Sequence, residues 1–418
     1  MSVTWPRLEC VSEAARDRPP LVRLPDGTVK QEGPLTGTRV WTVPGRANRP
    51  LAAPRPAPRW LEPGEAERLC AFCEARYLET TPEKARLVGP GFEELRRLPA
   101  SELFDSTARF RRFANLFEIV SAAYWREDHG FRQPASIVAW AGDYLDDPTG
   151  REHIERLSRM RTDASGTDQS LEEAALDLLG GSHDVIVARR HVTEGAETDD
   201  QLVSSGVLTP DEHAAYIAFT VRSLEEIQNA QPNAATVSVF QNWLRPAGAS
   251  FDHLHKQLVA IDEYGPQVHR ELALLSHDRE LYQHAIADLA IDEGLIVAAT
   301  DGAVVFAGVG HRYPAFEIYS TASANLPQEH SAAEVRAMSD LLHAMHAATG
   351  VHVPTNEEWH YRPPGAMWPM PWRIVLKWRV SNPAGFEGGT KIYVNTIDPW
   401  ELRERAVAEL ERLRDEGK

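Results

Sequence analysis

Apolar residues recur every three to four positions in DEHAAYIAFTVRSLEEIQNAQ (211–231) and in SAAEVRAMSDLLHAMHAATG (331–350). Each segment therefore carries one apolar stripe and predicts a helix. PWELRERAVAELERLRDEG (399–417) has the same period with a more charged outer face and predicts a closing helix. Short β-branched runs separate these helices. DVIVARRH (184–191) predicts a strand ending in His191, and AATVSVFQN (234–242) predicts a mostly buried strand despite its poor alternation. HLHKQLVAI (253–261), GAVVFAGVG (302–310), FEIYS (316–320) and WRIVLKWRV (372–380) predict further strands. Strand, helix, strand and strand recur in the same order, which predicts an internal duplication of an α+β unit with antiparallel sheets.

The remaining stretches predict less. Residues 1–60 read as an N-terminal arm with one short strand, RVWTV (39–43), between turn sequences, and the proline-rich tract 49–64 should be extended. Pro63 to Arg76 reads as the start of a helix. RFRRFANLFEIV (109–120) resembles a strand with a basic first half, and a solvated edge is the plain reading of Arg109, Arg111 and Arg112. Polar helix-like patterns fill 141–180 around a loop, RTDASGTDQS (161–170). The division expected is an arm (1–60), a catalytic half (61–265) with an insertion near 121–180, and a degenerate second half (266–418).

Composition narrows the function. A chain of 418 residues with a formal charge of −17 has no bulk electrostatic grip on nucleic acid or on acidic membranes. No apolar run reaches membrane-spanning length and no signal core opens the chain, so a cytoplasmic location is expected. Two of three cysteines form a CxxC pair, Cys70 and Cys73, which fits a metal better than a disulfide scaffold. Two thiolates at that spacing can bind one zinc ion with ligands from elsewhere, with His191 and His253 as candidates to complete a Cys2His2 set; buried cysteines or a redox pair are the ordinary readings. His129 and His183 compete with His191, their ordinary roles being a solvated and a hydrogen-bonding histidine. His343 and His346 read as surface residues, and Asp262, Glu263 and His360 as possible parts of a second metal site.

The segment 242–262, NWLRPAGASFDHLHKQLVAID, carries the densest chemistry. Alternation along a strand would put His253, His255 and Gln257 on one face. His255 is the expected nucleophile: one imidazole nitrogen attacks an α-phosphorus while the other is held by a hydrogen bond, expected from a backbone carbonyl. Gly248, Ala249 and Ser250 form a small-residue loop suited to phosphate oxygens, Gln257 can donate to a nonbridging oxygen, and Asn242 adds an amide. The ordinary reading is a pair of partly buried structural histidines. Arg46 and Arg49, on a turn-prone arm, can clamp phosphates, with solubility as the plain alternative.

Together these residues resemble the galactose-1-phosphate uridylyltransferase branch of the histidine-triad (HIT) superfamily. The segments carrying the resemblance are GPLTGTRVWTVPGRANRP, CAFC, RRFANLF, GSHDVIVARRH, the 242–262 stretch and AGFEGGTKIYVNTIDPWE. The resemblance implies duplicated HIT-like domains forming an intramolecular pseudo-dimer. It implies zinc on Cys70, Cys73, His191 and His253, a covalent nucleophile at His255, and roles for Ser250 and Gln257. It implies substrate contacts from Arg46, Arg49, Asn115, Lys391 and Asn395, and a homodimer. The activity implied is transfer of a nucleoside monophosphate from a nucleotide sugar or other nucleoside diphosphate compound to a phosphorylated sugar or inorganic phosphate. Leu254 and Lys256 depart from the family's usual Pro and small residue, and Val375 and Lys377 stand where its second half bears histidines. Lys377 is thereby expected to meet an anionic acceptor. A phosphorylase, a hydrolase and an idle nucleotide binder are the alternatives.

Overall fold

The computed structural model describes residues 19–46, 57–165, 169–381 and 383–417, and the side chains of 162–165 are outside it. Arg49 and the first half of the proline-rich tract, 49–56, lie outside the described residues.

The N-terminal segment is more regular than its sequence suggests. Strands β1 (Leu21–Arg23), β2 (Val29–Glu32) and β3 (Arg39–Thr42) form an antiparallel meander, and β15 (Ile392–Asn395) adds in parallel beside β3. This small sheet docks where Gly33 and Gly310 meet. Gly310 has φ +71°, and a Cβ there would overlap the Gly33 backbone.

Among the described residues, all other strands form one eleven-stranded antiparallel sheet. Its first part runs β5 (Glu93–Arg96), β4 (Glu83–Val88), β6 (Ala108–Ala114), β7 (His183–Ala188), β9 (His255–Ile261), β8 (Thr236–Trp243). Its second part continues β13 (Thr355–His360), β14 (Arg373–Trp378), β12 (Ala315–Ser320), β11 (Ala303–Ala307), β10 (Ile296–Ala299). Helices α1 (Ala122–His129), α2 (Ala135–Asp146), α3 (Pro148–Ser165) and α4 (Leu171–Gly180) fill the stretch between β6 and β7. α2, α3 and α4 pack a small core of their own around Trp140, Tyr144, Ile154 and Leu178, while Trp125 of α1 joins the main core. Helix α3 continues to Ser165, so the start of RTDASGTDQS is helical rather than looped. Helices α6 (Pro266–His277) and α7 (Asp288–Asp292) link the two parts, and α9 (Gly385–Thr390) and α10 (Pro399–Asp415) close the chain.

The repeated order is explicit in the topology. β7, α5 (Pro210–Ala230), β8 and β9 are matched by β12, α8 (Ala332–Thr349), β13 and β14, and the halves meet where β8 pairs with β13. Both helices begin with a capping box, Thr209 with Glu212 and Ser331 with Glu334. They pack against each other and cover one face of the sheet. Val237, Val239, Leu258 and Ala260 from the first half and Phe316, Ile318, Ile374 and Leu376 from the second are buried on that face. β8 alternates strictly between buried and partly buried positions, so its weak hydrophobic alternation conceals a regular one-sided strand.

Lys256 shares the covered face, opposite His255 and Gln257. Its ammonium is fully buried against the Glu357 carboxylate, which also accepts from His346 Nε2 at 3.0 Å and Trp359 Nε1 at 2.6 Å. His346 is therefore buried between the halves rather than at the surface, and half-buried His343 donates from Nε2 to the Leu208 carbonyl at 2.8 Å. The basic edge at 109–112 needs a similar correction. Arg111 and Arg112 are buried and paired with Glu83, Asp184 and Glu226, carboxylates distant in sequence.

Candidate functional site

Residues 63–79 fold as turns and a 3-10 helix (Glu74–Glu79), not as the helix expected from Pro63. The reason is the CxxC turn, closed by the Cys73 amide donating to the Cys70 carbonyl at 3.0 Å, which aims both sulfurs inward. His191 follows β7 by three residues, at the start of a loop held by the Val192–Leu202 bridge and by Val203 N–H to the His191 carbonyl. His253 precedes β9, pinned where the Ala188 amide donates to the Leu254 carbonyl.

These four residues converge. Cys70 Sγ lies 3.8 Å from Cys73 Sγ and 3.4 Å from His253 Nδ1, and Cys73 Sγ lies 3.6 Å from His191 Nδ1 and 3.7 Å from His253 Nδ1. Sulfur and nitrogen ligands of one tetrahedral ion stand about 3.3–3.8 Å apart, given metal bonds of about 2.3 and 2.0–2.1 Å. His253 Nε2 donates to the Ala188 carbonyl at 2.7 Å, which fixes its tautomer and leaves Nδ1 free as a ligand. Cys70 donates to Cys73, lowering the Cys73 thiol's pKa; the same bond and burial push Cys70 up. The cluster can hold a metal ion, and among the described residues no other His, Cys, Asp or Glu group of this kind occurs. The proposed Asp262, Glu263 and His360 set does not assemble. Asp262 bonds Tyr124 and His129, while His360 faces Glu358. His129 is accordingly hydrogen-bonded to Asp262 at 2.8 Å rather than simply solvated.

His255 is the first residue of β9 and is 5% exposed. Its Nδ1–H donates to the His253 carbonyl at 2.7 Å, leaving the Nε2 lone pair uncommitted. Burial lowers its pKa to about 4, which keeps the ring neutral. The Phe72 ring stands edge-on at 5.2 Å between centroids and ties the CxxC turn to this imidazole. His253, outside the strand, turns to the cysteines instead of sharing a strand face with His255.

Gln257 shares the His255 face of β9. His183 Nδ1 accepts the Ile119 amide at 3.0 Å, so its Nε2–H donates to Gln257 Oε1 at 3.0 Å. The Gln257 amide group is thereby turned outward as a donor. Asn115 caps the Phe117 amide through Oδ1 and places Nδ2 3.3 Å from His183 Nε2. Sequence reasoning treated His183 only as a structural histidine or a rival ligand; its odd-numbered alternation with Val185 and Val187 was the available signal.

The small-residue loop leaves β8 through Leu244, a non-glycine at φ 65°. Gly248 adopts φ 95°, and Ser250 is exposed while Ala249 is buried. Asn356 of the second half grips this loop: its Nδ2 donates to Asn242 Oδ1 at 2.7 Å and to the Ala247 carbonyl at 2.8 Å. Nothing local in the sequence around Asn356 announces this contact.

Other expected substrate residues stand apart. Arg46 is exposed, and Lys391 is exposed at φ 57° after α9. Asn395 is buried and donates to the His311 carbonyl at 3.2 Å, a link between the small sheet and the second half. Lys377 bonds Glu358 at 2.6 Å. Among the described residues, no hydrogen bond or ion pair joins these four to the His253–Gln257 group.

Comparison with known proteins places the fold. No curated protein matches the chain by sequence. An ADP-glucose phosphorylase from Arabidopsis thaliana, solved with bound ADP-glucose, superposes with a TM-score of 0.60 at 17% identity, covering 91% of this chain and 98% of its own. A GalT-like protein from Arabidopsis thaliana superposes with a TM-score of 0.57 at 16% identity, covering 90% and 98%. The model of a family described as a domain of unknown function, DUF4921, matches residues 24–418. The chain therefore belongs to the DUF4921 family and shares the duplicated α+β fold of the ADP-glucose phosphorylase and the GalT-like protein.

Proposed function

We propose that this protein is a nucleotidyltransferase that moves a nucleoside monophosphate from a nucleotide sugar or related diphosphate to a phosphorylated sugar or inorganic phosphate. The observation that carries this reading is the Nδ1–H bond from His255 to the His253 carbonyl, which leaves Nε2 as the only basic ring atom. In the first step Nε2 attacks the α-phosphorus. A P–N bond forms, the bond to the bridging oxygen breaks, and the sugar phosphate leaves. In the second step an acceptor phosphate oxygen attacks the same phosphorus and the P–N bond breaks, returning neutral His255. Gln257, held by His183, donates to a nonbridging oxygen as charge develops, and the Gly248–Ser250 loop receives the others.

Zinc is the ion we assign to Cys70, Cys73, His191 and His253. Four protein ligands close the site, so its role is structural: it fixes the CxxC turn, and through Phe72 the ring that faces His255. The full-length match to a phosphorylase supports inorganic phosphate as acceptor alongside sugar phosphates.

Turnover tests the reading. ADP-glucose, UDP-glucose, GDP sugars and dinucleoside polyphosphates, each supplied with inorganic phosphate or with a sugar phosphate, should include one pair that exchanges. Metal analysis of the native protein should give one zinc per chain. Absence of exchange with every pair would reject the transferase and phosphorylase readings together.

A further inference from the structure

The second half holds a cleft of its own. A cavity of 390 Å³ opens between the Gly33–Thr38 turn, the start of α6 and the face of β14 opposite α8, where Lys377 and Arg373 line it with Arg270, Arg312 and His311. It lies three strands from His255 across the sheet, roughly 14 Å at ~4.8 Å per strand. A second cavity of 510 Å³ abuts it and shares Gln267, His360 and Arg373.

The carboxylates near this cleft are already engaged. Glu317 accepts from His311 at 2.8 Å and from the Tyr319 hydroxyl at 3.1 Å, Glu271 takes Arg373 Nη2 at 2.5 Å, and Glu358 takes Lys377. The donors are not exhausted. Arg373 is 1% exposed, yet its Nη1 has no hydrogen-bond partner, a costly state for a buried charged group. Lys377 uses its ammonium on one oxygen and keeps further protons to donate. Among the described residues Arg312 has no ion-pair partner and stacks on Tyr313 and Tyr393, and Arg270 gives Nε to the Leu35 carbonyl. Excess donors around satisfied acceptors, in an otherwise acidic chain, call for an anion with several oxygens.

We propose that this cleft is a binding site for a phosphate-bearing small molecule, distinct from the His255 site and without a nucleophile of its own. Arg373 Nη1 and Lys377 meet the phosphate oxygens, and Arg312 and Arg270 close over them from the rim. The role expected of Lys377 toward an anion is kept, but in a separate pocket.

The probe is inorganic phosphate, titrated calorimetrically into wild-type protein, His255→Ala and the double variant Arg312→Ala/Lys377→Met. We expect a phosphate-binding event that His255→Ala retains and that the double variant weakens about tenfold or more. Crystals soaked in tungstate should show an anomalous peak beside the Arg373 guanidinium. Unchanged phosphate binding by the double variant, or a peak only at the Gly248–Ser250 loop, would overturn the proposal. Failure of the transferase reading would appear as missing exchange and would leave this binding intact.

Discussion

The two halves of the sheet share one plan and differ in what they present. β7–α5–β8–β9 and β12–α8–β13–β14 repeat the same order, bury the same kind of apolar face under α5 and α8, and meet at β8 and β13. On the exposed face, the first half presents His255 and Gln257 beside a Cys2His2 cluster, whereas the second presents Val375 and Lys377 beside cationic side chains. The difference teaches that the architecture is held by the covered face, while chemistry is written on a few alternate positions of the other. The halves are also coupled, because Asn356 of one orders the loop of the other and Lys256 pairs with Glu357 across the seam.

Substitutions can break this comparison at several strengths. The largest effect is expected at the nucleophile: His255→Ala should lower exchange by on the order of 10⁴-fold or more without unfolding the chain, measured as steady-state rate and melting temperature. Cys73→Ser should release the metal and destabilise the first half by on the order of 5 kcal/mol, part of the ~10–16 kcal/mol a structural zinc supplies to a small finger. Denaturant unfolding with parallel metal analysis checks this, and an unchanged midpoint would contradict it.

Breaking the seam should cost less and act on stability alone. Glu357→Gln leaves the Lys256 ammonium buried against a neutral partner, for an expected loss of about 3–5 kcal/mol. Despite burial, the Lys256 charge, with His346, holds the Glu357 carboxyl well below its ordinary value. Its stabilisation is therefore complete above about pH 4.5 and is lost as pH falls, so the variant should show a flatter stability profile on the acid side. His183→Ala should free the Gln257 amide and lower kcat about 10- to 100-fold with little change in KM. An equal rise in KM would instead assign His183 to substrate binding. The smallest effect is a matched pair: Thr209→Ala and Ser331→Ala should each cost about 1 kcal/mol, because both remove the same cap from equivalent helices.

Much of this plan was legible in the sequence, for a physical reason. Helices α5, α8 and α10 and strands β9, β12 and β14 follow from the period with which each buries one face. Cys70, Cys73, His191 and His253 were expected together from ligand chemistry and the resemblance, and they do converge, while His255, proposed as the nucleophile, stands beside them. What escaped depends on partners far away in sequence. The Pro63–Arg76 helix gives way to turns because the cysteines must face a common point. Arg111 and Arg112 look solvated until Glu83, Asp184 and Glu226 are brought to them. β1 and β2 are too short to announce themselves without β3 and β15 beside them. The Asn356 and His183 contacts arise only from the pairing of strands more than sixty residues apart, and the cleft at Arg373 only where the Gly33–Thr38 turn docks against β14 and α6.

The central claim is that the first half alone carries a covalent nucleotidyl intermediate, on one ring nitrogen. Intact mass of the protein after incubation with each nucleotide sugar in the absence of acceptor, followed by peptide mapping under alkaline conditions, measures it directly. The account predicts a single added nucleoside monophosphate, mapped to His255, discharged by phosphate or a sugar phosphate and absent in His255→Ala. An adduct on any other residue, or exchange that proceeds in His255→Ala at the wild-type rate, would contradict it.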